Sequence, residues 1–202
     1  MDAAPILPPG QDLLSALKVK HYGPIPRAKR DSWTMSFSVA EHADGDQLEL
    51  SSHRELGRLT VPELDALPQS QISTSLHCAS GWSVQNLGWQ GVPAAAVLEL
   101  FPPPEGTVGA LVYGEYGYSA NVRLSDLLRP TTLLAVGLDG APLAPEHGFP
   151  VRLVVPHLYA HKSPKWFRGW DYLSRPRRGF WEERGYHLIG DPWAEERYSY
   201  QE

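Results

Sequence analysis

Only one cysteine, Cys78, occurs in the 202 residues. That scarcity excludes an intrachain disulfide and any zinc site built from several thiolates, and it fits a reducing compartment. Long hydrophobic runs are also missing. No segment approaches the roughly 20 apolar residues of a membrane span, and Met1 to Gly10 lacks the basic start and apolar stretch of a secretory signal. A cytoplasmic protein with no membrane span is the expectation. His77 adjoins Cys78 too closely for easy joint ligation, which argues against a zinc hydrolase. With a pI near 5.9 and no recognised nucleic-acid motif, no nucleic-acid partner is expected.

Aromatic and apolar residues are plentiful: 42% of the chain is hydrophobic, with seven Trp and nine Tyr, enough for the core of one domain spanning residues 1–202. Nineteen prolines and eighteen glycines interrupt the chain too often for a helical bundle. No long alternation of strands and helices supports a Rossmann sheet, so the expected class is α+β, mixed and β-rich. Trp33 to Val39 and Gln47 to Ser51 flank an Asp44-Gly45 turn signal and read as a hairpin. Thr60 and Glu63 suggest a capping box for a helix that Pro68 closes. Ile72, Thr74 and Leu76 alternate as a strand leading into Cys78. Asp12 to Lys18 and Val92 to Leu100 read as helices, and Ser125 as the cap of a short helix through Leu128. Ala110 to Tyr113, Thr132 to Leu138 (ending in an Asp139-Gly140 turn) and Val151 to Val155 read as strands. Between Lys20 and Arg27, prolines enforce a rigid extended arm, His21-Tyr22-Gly23-Pro24-Ile25-Pro26.

A net charge of −5 conceals segregation of sign. Lys18, Lys20, Arg27, Lys29 and Arg30 form one basic block; Lys162, Lys165, Arg168, Arg175, Arg177, Arg178 and Arg184 form another. Such blocks can serve as solvated surface or converge on one anionic ligand, which Lys attracts as a point charge and Arg holds bidentately.

Cys78 ends an alternating apolar run and enters Ala79-Ser80-Gly81-Trp82-Ser83. A thiol delivered at a strand end into a small-residue loop is placed for metal ligation or nucleophilic chemistry rather than packing. Further on stands His147-Gly148-Phe149-Pro150-Val151-Arg152-Leu153-Val154-Val155-Pro156, preceded by Leu133-Leu134-Ala135 and Asp139-Gly140-Ala141-Pro142-Leu143. These runs closely resemble the core of the sulfite oxidase-like molybdopterin oxidoreductases, a family that includes sulfite oxidases, assimilatory nitrate reductases and periplasmic methionine sulfoxide reductases. Cys78 followed by Trp82-Ser83 is similar to the metal-binding loop of the periplasmic reductases. Lys162-Ser163-Pro164-Lys165-Trp166 resembles the segment that meets the cofactor phosphate. The resemblance runs from about Lys18 to Tyr198.

It implies the sulfite oxidase fold and Mo-molybdopterin, the molybdenum cofactor, in which a pterin dithiolene supplies two sulfurs and Cys78 the third. A soft thiolate suits a metal that cycles between Mo(VI) and Mo(IV). By the same resemblance His147, Arg152, Ser163 and Lys165 hold the pterin and its phosphate, and His21 and Tyr22 of the arm cover the dithiolene. Trp181-Glu182-Glu183-Arg184-Gly185-Tyr186 resembles the segment that places a tyrosine beside the metal oxygen, making Tyr186 a catalytic candidate. Trp82, Trp89 and Trp166 read as packing around the pocket.

The chain departs from that pattern in two places. Sulfite oxidases carry an arginine two residues before the arm histidine, where Val19 stands here, with Lys20 next to it as a compensating cation. His77 replaces the arginine that precedes the metal cysteine in better-known members, giving a titratable cation and a third catalytic candidate. Both changes argue against a site built for sulfite. The dimerisation and haem domains of animal sulfite oxidases and the twin-arginine signal of the periplasmic reductases are not expected here. The resulting expectation is an oxidoreductase performing two-electron oxygen-atom transfer on a small oxyanion or sulfoxide, with a small-molecule substrate and an unidentified electron-transfer partner. The alternative is a metal-free anion-binding or scaffold module on the same fold.

Overall fold

The computed structural model describes residues 6–42 and 50–202. Two β-sheets carry the fold. One joins β1 (Asp12–Leu13), β4 (Ser70–Cys78), β5 (Trp82–Pro93), β8 (Leu133–Leu138), β9 (Ala141–Pro142) and β10 (Arg152–Val154). The other runs in the order β3 (Leu50–Thr60), β2 (Thr34–His42), β11 (Phe167–Leu173), β6 (Gly109–Gly114) and β7 (Ser119–Arg123). Among the described residues three short α-helices, α1 (Val61–Asp65), α2 (Ala94–Leu100) and α3 (Leu124–Leu127), accompany the sheets. The main core is shared: Met35, Phe37, Val112 and Trp170 from the second sheet pack with Val92, Leu134 and Leu153 from the first. The class is therefore the mixed, β-rich α+β arrangement that the sequence suggests.

A second apolar cluster of Leu76, Trp82, Val84, Trp89, Leu133 and Val154 lies within the first sheet, and Cys78 packs against it. Both strands that bracket the thiol are thus anchored by large buried side chains.

The β2–β3 hairpin forms, antiparallel from Thr34↔Thr60 onward, although its Asp44-Gly45 turn lies outside the described residues. The capping box also forms: Thr60 Oγ1 accepts from Glu63 N, and the Glu63 carboxylate accepts the Thr60 N–H at 2.7 Å. Asp12 to Lys18 is not helical. Asp12 N donates to Gly81 O at 2.9 Å and Leu14 N to Ser83 O at 2.8 Å, so the segment joins the sheet edge beside the Cys78 loop. So short a helix is marginal without tertiary packing to hold it, and here the sheet-edge hydrogen bonds prevail. Val92 and Pro93 close β5, and α2 begins only at Ala94, whose N–H goes to Thr132 O. Ser125 lies inside α3 rather than capping it. The first turn is fastened instead by Arg123, which donates to the Asp126 carboxylate at 2.6 and 3.1 Å.

Candidate active site

β4 and β5 are joined by the three-residue loop Ala79-Ser80-Gly81, with Cys78 paired to Trp82. Gly81 N donates to Cys78 O at 3.0 Å, and Gly81 itself adopts φ +89°, the left-handed conformation such hairpins require of their last loop residue. Gln11 Nε2 also reaches Cys78 O, at 3.2 Å. Arg197 donates to Ala79 O at 2.7 Å and to Pro9 O and Gly10 O at 3.0 Å, clamping the loop from outside. Cys78 is half-buried and opens into a cleft of about 560 Å³.

That cleft gathers most of the residues singled out from the sequence: His21, Tyr22, Cys78, His147, Arg152, Ser163, Lys165 and Tyr186 all line it. Trp82 and Trp166 line it as well, whereas Trp89 is fully buried beneath, under the Arg152 guanidinium at 5.1 Å. His77 does not line it. Strand alternation turns Leu76 and Cys78 toward the cleft and His77 away. The His77 ring is buried, with Nδ1 2.7 Å from Ser83 Oγ. Since Ser83 Oγ donates to Gln11 Oε1 at 3.1 Å, Nδ1 is the protonated nitrogen. Burial lowers the His77 pKa, so the ring is a neutral strut for the Cys78 hairpin and not a cation beside substrate.

The basic blocks converge only in part. Lys18, Lys20 and Lys165 line the cleft, but Lys162 is fully buried against Glu182. Arg30 pairs with Asp65, Arg168 pairs with Glu115 and lies 3.5 Å over the Trp33 ring, and Arg178 pairs with Glu202.

Arg152 is the most telling side chain. It is 4% exposed on β10, donates from Nη1 to His147 O (3.1 Å) and from Nη2 to Ser163 O (3.2 Å), and leaves Nε without a partner. Among the described residues no carboxylate forms an ion pair with it, and burial pulls its pKa down to about 10. Lys165 is similarly uncompensated. Its Nζ donates to Lys20 O (2.6 Å) and Glu146 O (2.8 Å), two backbone carbonyls from different segments. Burial, with help from Arg152, lowers its pKa to about 7, and the Glu146 charge offsets this only in part. Ser163 Oγ accepts the Val155 N–H at 2.9 Å, which leaves its own hydroxyl hydrogen to donate. Buried cations without counter-ions are costly unless a ligand supplies the charge. This donor set fits a phosphate-bearing, oxygen-rich cofactor, while the half-buried thiol at the same cleft fits its soft metal.

Tyr186 follows the 3-10 turn Glu182–Arg184 and Gly185, which adopts φ +93°. Its ring meets His161 at 5.2 Å and Trp181 at 5.1 Å. Burial first, then Cys78 and Tyr198, raise its pKa, so the phenol keeps its proton. Tyr118 and His161 are among the lining residues that the sequence reading did not single out. Tyr118 donates to His161 O at 2.8 Å, and burial holds its phenol protonated. His161 is buried, neither ring nitrogen has a well-formed hydrogen bond among the described residues, and burial then Lys162 push its pKa down to about 3 against a weaker opposing pull from the His187 backbone. Neither stands in a recognisable motif; only the fold of β7 and the turn Ala160–Lys162 brings them to the cleft.

Residues 22–181 match the family described as the oxidoreductase molybdopterin binding domain. The chain belongs to that family of molybdopterin-binding oxidoreductases, whose members are enzymes. It is 36% identical over 194 residues to the uncharacterized oxidoreductase YuiH of Bacillus subtilis, covering 96% of this chain and 92% of that protein. It is 24% identical to the sulfite oxidase of Arabidopsis thaliana, covering 84% of this chain but only 49% of that enzyme. The fold matches the crystal structure of the sulfane dehydrogenase SoxCD from Paracoccus pantotrophus with a TM-score of 0.65 at 18% identity, over 77% of this chain and 42% of that one.

Proposed function

We propose that this chain binds Mo-molybdopterin in the cleft and performs two-electron oxygen-atom transfer on a small oxyanion or sulfoxide. The observation that carries the reading is Arg152, buried with no carboxylate partner among the described residues, in the same cleft as the lone thiol. Arg152, Ser163, Lys165 and His147 would hold the pterin and phosphate, His21 and Tyr22 would cover it from the arm, and Cys78 would ligate the metal. When bound, the cofactor supplies the two-electron redox chemistry.

The chain's own residues supply position and protons. Tyr186 keeps its phenolic proton and can donate a hydrogen bond at the substrate side. His77 lies behind the Cys78 hairpin, so its part is to hold the loop. Lys18 and Lys20 stand in the cleft wall and favour an anionic or strongly dipolar substrate. Similarity to an enzyme named sulfite oxidase supports sulfur-centred chemistry. Val19 in place of the expected arginine supports a substrate with less charge than sulfite. Electrons would pass to or from a separate partner.

The test is metal and pterin analysis of protein made in a host with intact cofactor synthesis. The expected result is one molybdenum per chain and a pterin fluorophore after acid oxidation. Cys78→Ser should retain pterin and lose oxygen transfer. Protein with neither metal nor pterin would favour the metal-free anion-binding module.

A further inference from the structure

Cys78 Sγ lies 3.2 Å from Ser80 Oγ, and Lys20 Nζ donates to the same Oγ at 3.2 Å. An ammonium has no lone pair and can only donate. Ser80 therefore accepts from Lys20, and its hydroxyl hydrogen is free to point at the sulfur. We infer that Lys20 and Ser80 form a relay that places a charge-polarised O–H donor on the Cys78 sulfur and so sets how strongly that sulfur donates electrons to a metal bound there.

Two independent parts of the fold hold the relay in register. Ser80 is the middle residue of the loop that Gly81 and Arg197 fix. Lys20 belongs to the arm, and its carbonyl is gripped by Lys165 Nζ at 2.6 Å. Among the described residues Glu115 is the one carboxylate side chain lining the cleft, and Arg168 engages it, so it does not neutralise the Lys20 ammonium. Consecutive hydrogen bonds polarise one another, and a cation at the head of the chain strengthens the last donor. A hydrogen bond to a ligating cysteine sulfur withdraws electron density from it and raises the metal's reduction potential. Lys20 and Ser80 are thus positioning residues. They act through Cys78, and the inference rests on the proposed ligation of molybdenum by that thiol.

The experiment measures the midpoint potential of the metal centre by spectroelectrochemical titration in loaded wild-type protein and in Ser80→Ala, Ser80→Thr and Lys20→Met, with molybdenum content determined for each. Ser80→Ala and Lys20→Met should shift the potential downward at full metal content, the first by more, while Ser80→Thr, which restores the hydroxyl, should return it to the wild-type value. A fully loaded Ser80→Ala protein with the wild-type potential would overturn the relay and leave the ligation reading intact. A shift in Ser80→Ala with none in Lys20→Met would overturn it as well. Wild-type protein that takes up no molybdenum would overturn the ligation reading and the relay together.

Discussion

Lys162 and Glu182 form an ion pair with no solvent exposure on either side chain, joining the segment that bears Ser163 and Lys165 to the segment that bears Tyr186. The ammonium also donates to Asn121 O (3.1 Å) and Leu188 O (2.6 Å). The carboxylate accepts the Asn121 and Gly179 N–H groups at 3.1 and 3.0 Å. Every strong valence is met, so removing one partner strands the other. Lys162→Met should cost about 3–5 kcal/mol of unfolding free energy, read from chemical denaturation.

Arg152→Met should separate stability from function. Losing a buried cation without a counter-ion should leave the cofactor-free protein within about 1 kcal/mol of wild type, or more stable. Pterin content after expression with intact cofactor synthesis should fall at least tenfold, about 1.4 kcal/mol of binding. A large loss of stability without cofactor would mean that the two carbonyl hydrogen bonds matter more than the unpaired charge.

Lys165 predicts a pH effect whose sign is fixed. Its pKa falls from 10.5 to about 7 on folding, so between those values the unfolded chain binds more protons. The cofactor-free protein should gain stability as pH rises from about 7 toward 10.5 and lose it as pH falls back through 7. Lys165→Met should flatten that limb in denaturation measured at several pH values. Binding of a phosphate would favour the protonated form, so pterin retention should weaken as pH climbs through the same window.

His161 predicts the acid limb. Its pKa falls from 6.5 to about 3, so stability present above pH 6.5 is lost as pH drops toward 3 and the unfolded chain takes up the proton. His161→Phe removes two buried nitrogens that lack well-formed hydrogen bonds among the described residues and should raise stability near pH 5 relative to wild type, with little change at pH 8. An unchanged acid limb in His161→Phe would show that other groups govern acid unfolding.

How far the sequence was legible depended on where regularity broke. β5 escaped because it contains a bulge: Thr74 pairs with Leu87 and Leu76 with Val84, so β5 carries one residue more than β4 across that step. Asn86 at φ +59° takes up the extra residue and resets the alternation of buried side chains. Gly91 completes the disguise. A Cβ there would lie 2.1 Å from Leu134 O, so the close approach of β8 demands a residue that reads as loop. β11 was hidden in the same way by Gly169, at φ +137° against Ser36 O. By contrast, Cys78, His147, Arg152, Ser163, Lys165 and Tyr186 lie in contiguous runs that could be read directly. Ser80 bonded to Lys20, and Tyr118 bonded to the His161 carbonyl, depend on contacts between residues 60 and 43 positions apart, which no local pattern encodes.

The Arg197 clamp has a consequence for biosynthesis. One guanidinium joins Pro9, Gly10 and Ala79 to a residue almost 190 positions beyond the first of them. A ribosome releases the chain from the amino end, so the hairpin presenting the thiol has to wait, incompletely braced, until residue 197 has emerged. Any prosthetic group held by the fully braced hairpin would accordingly arrive after residues 9, 79 and 197 have come together.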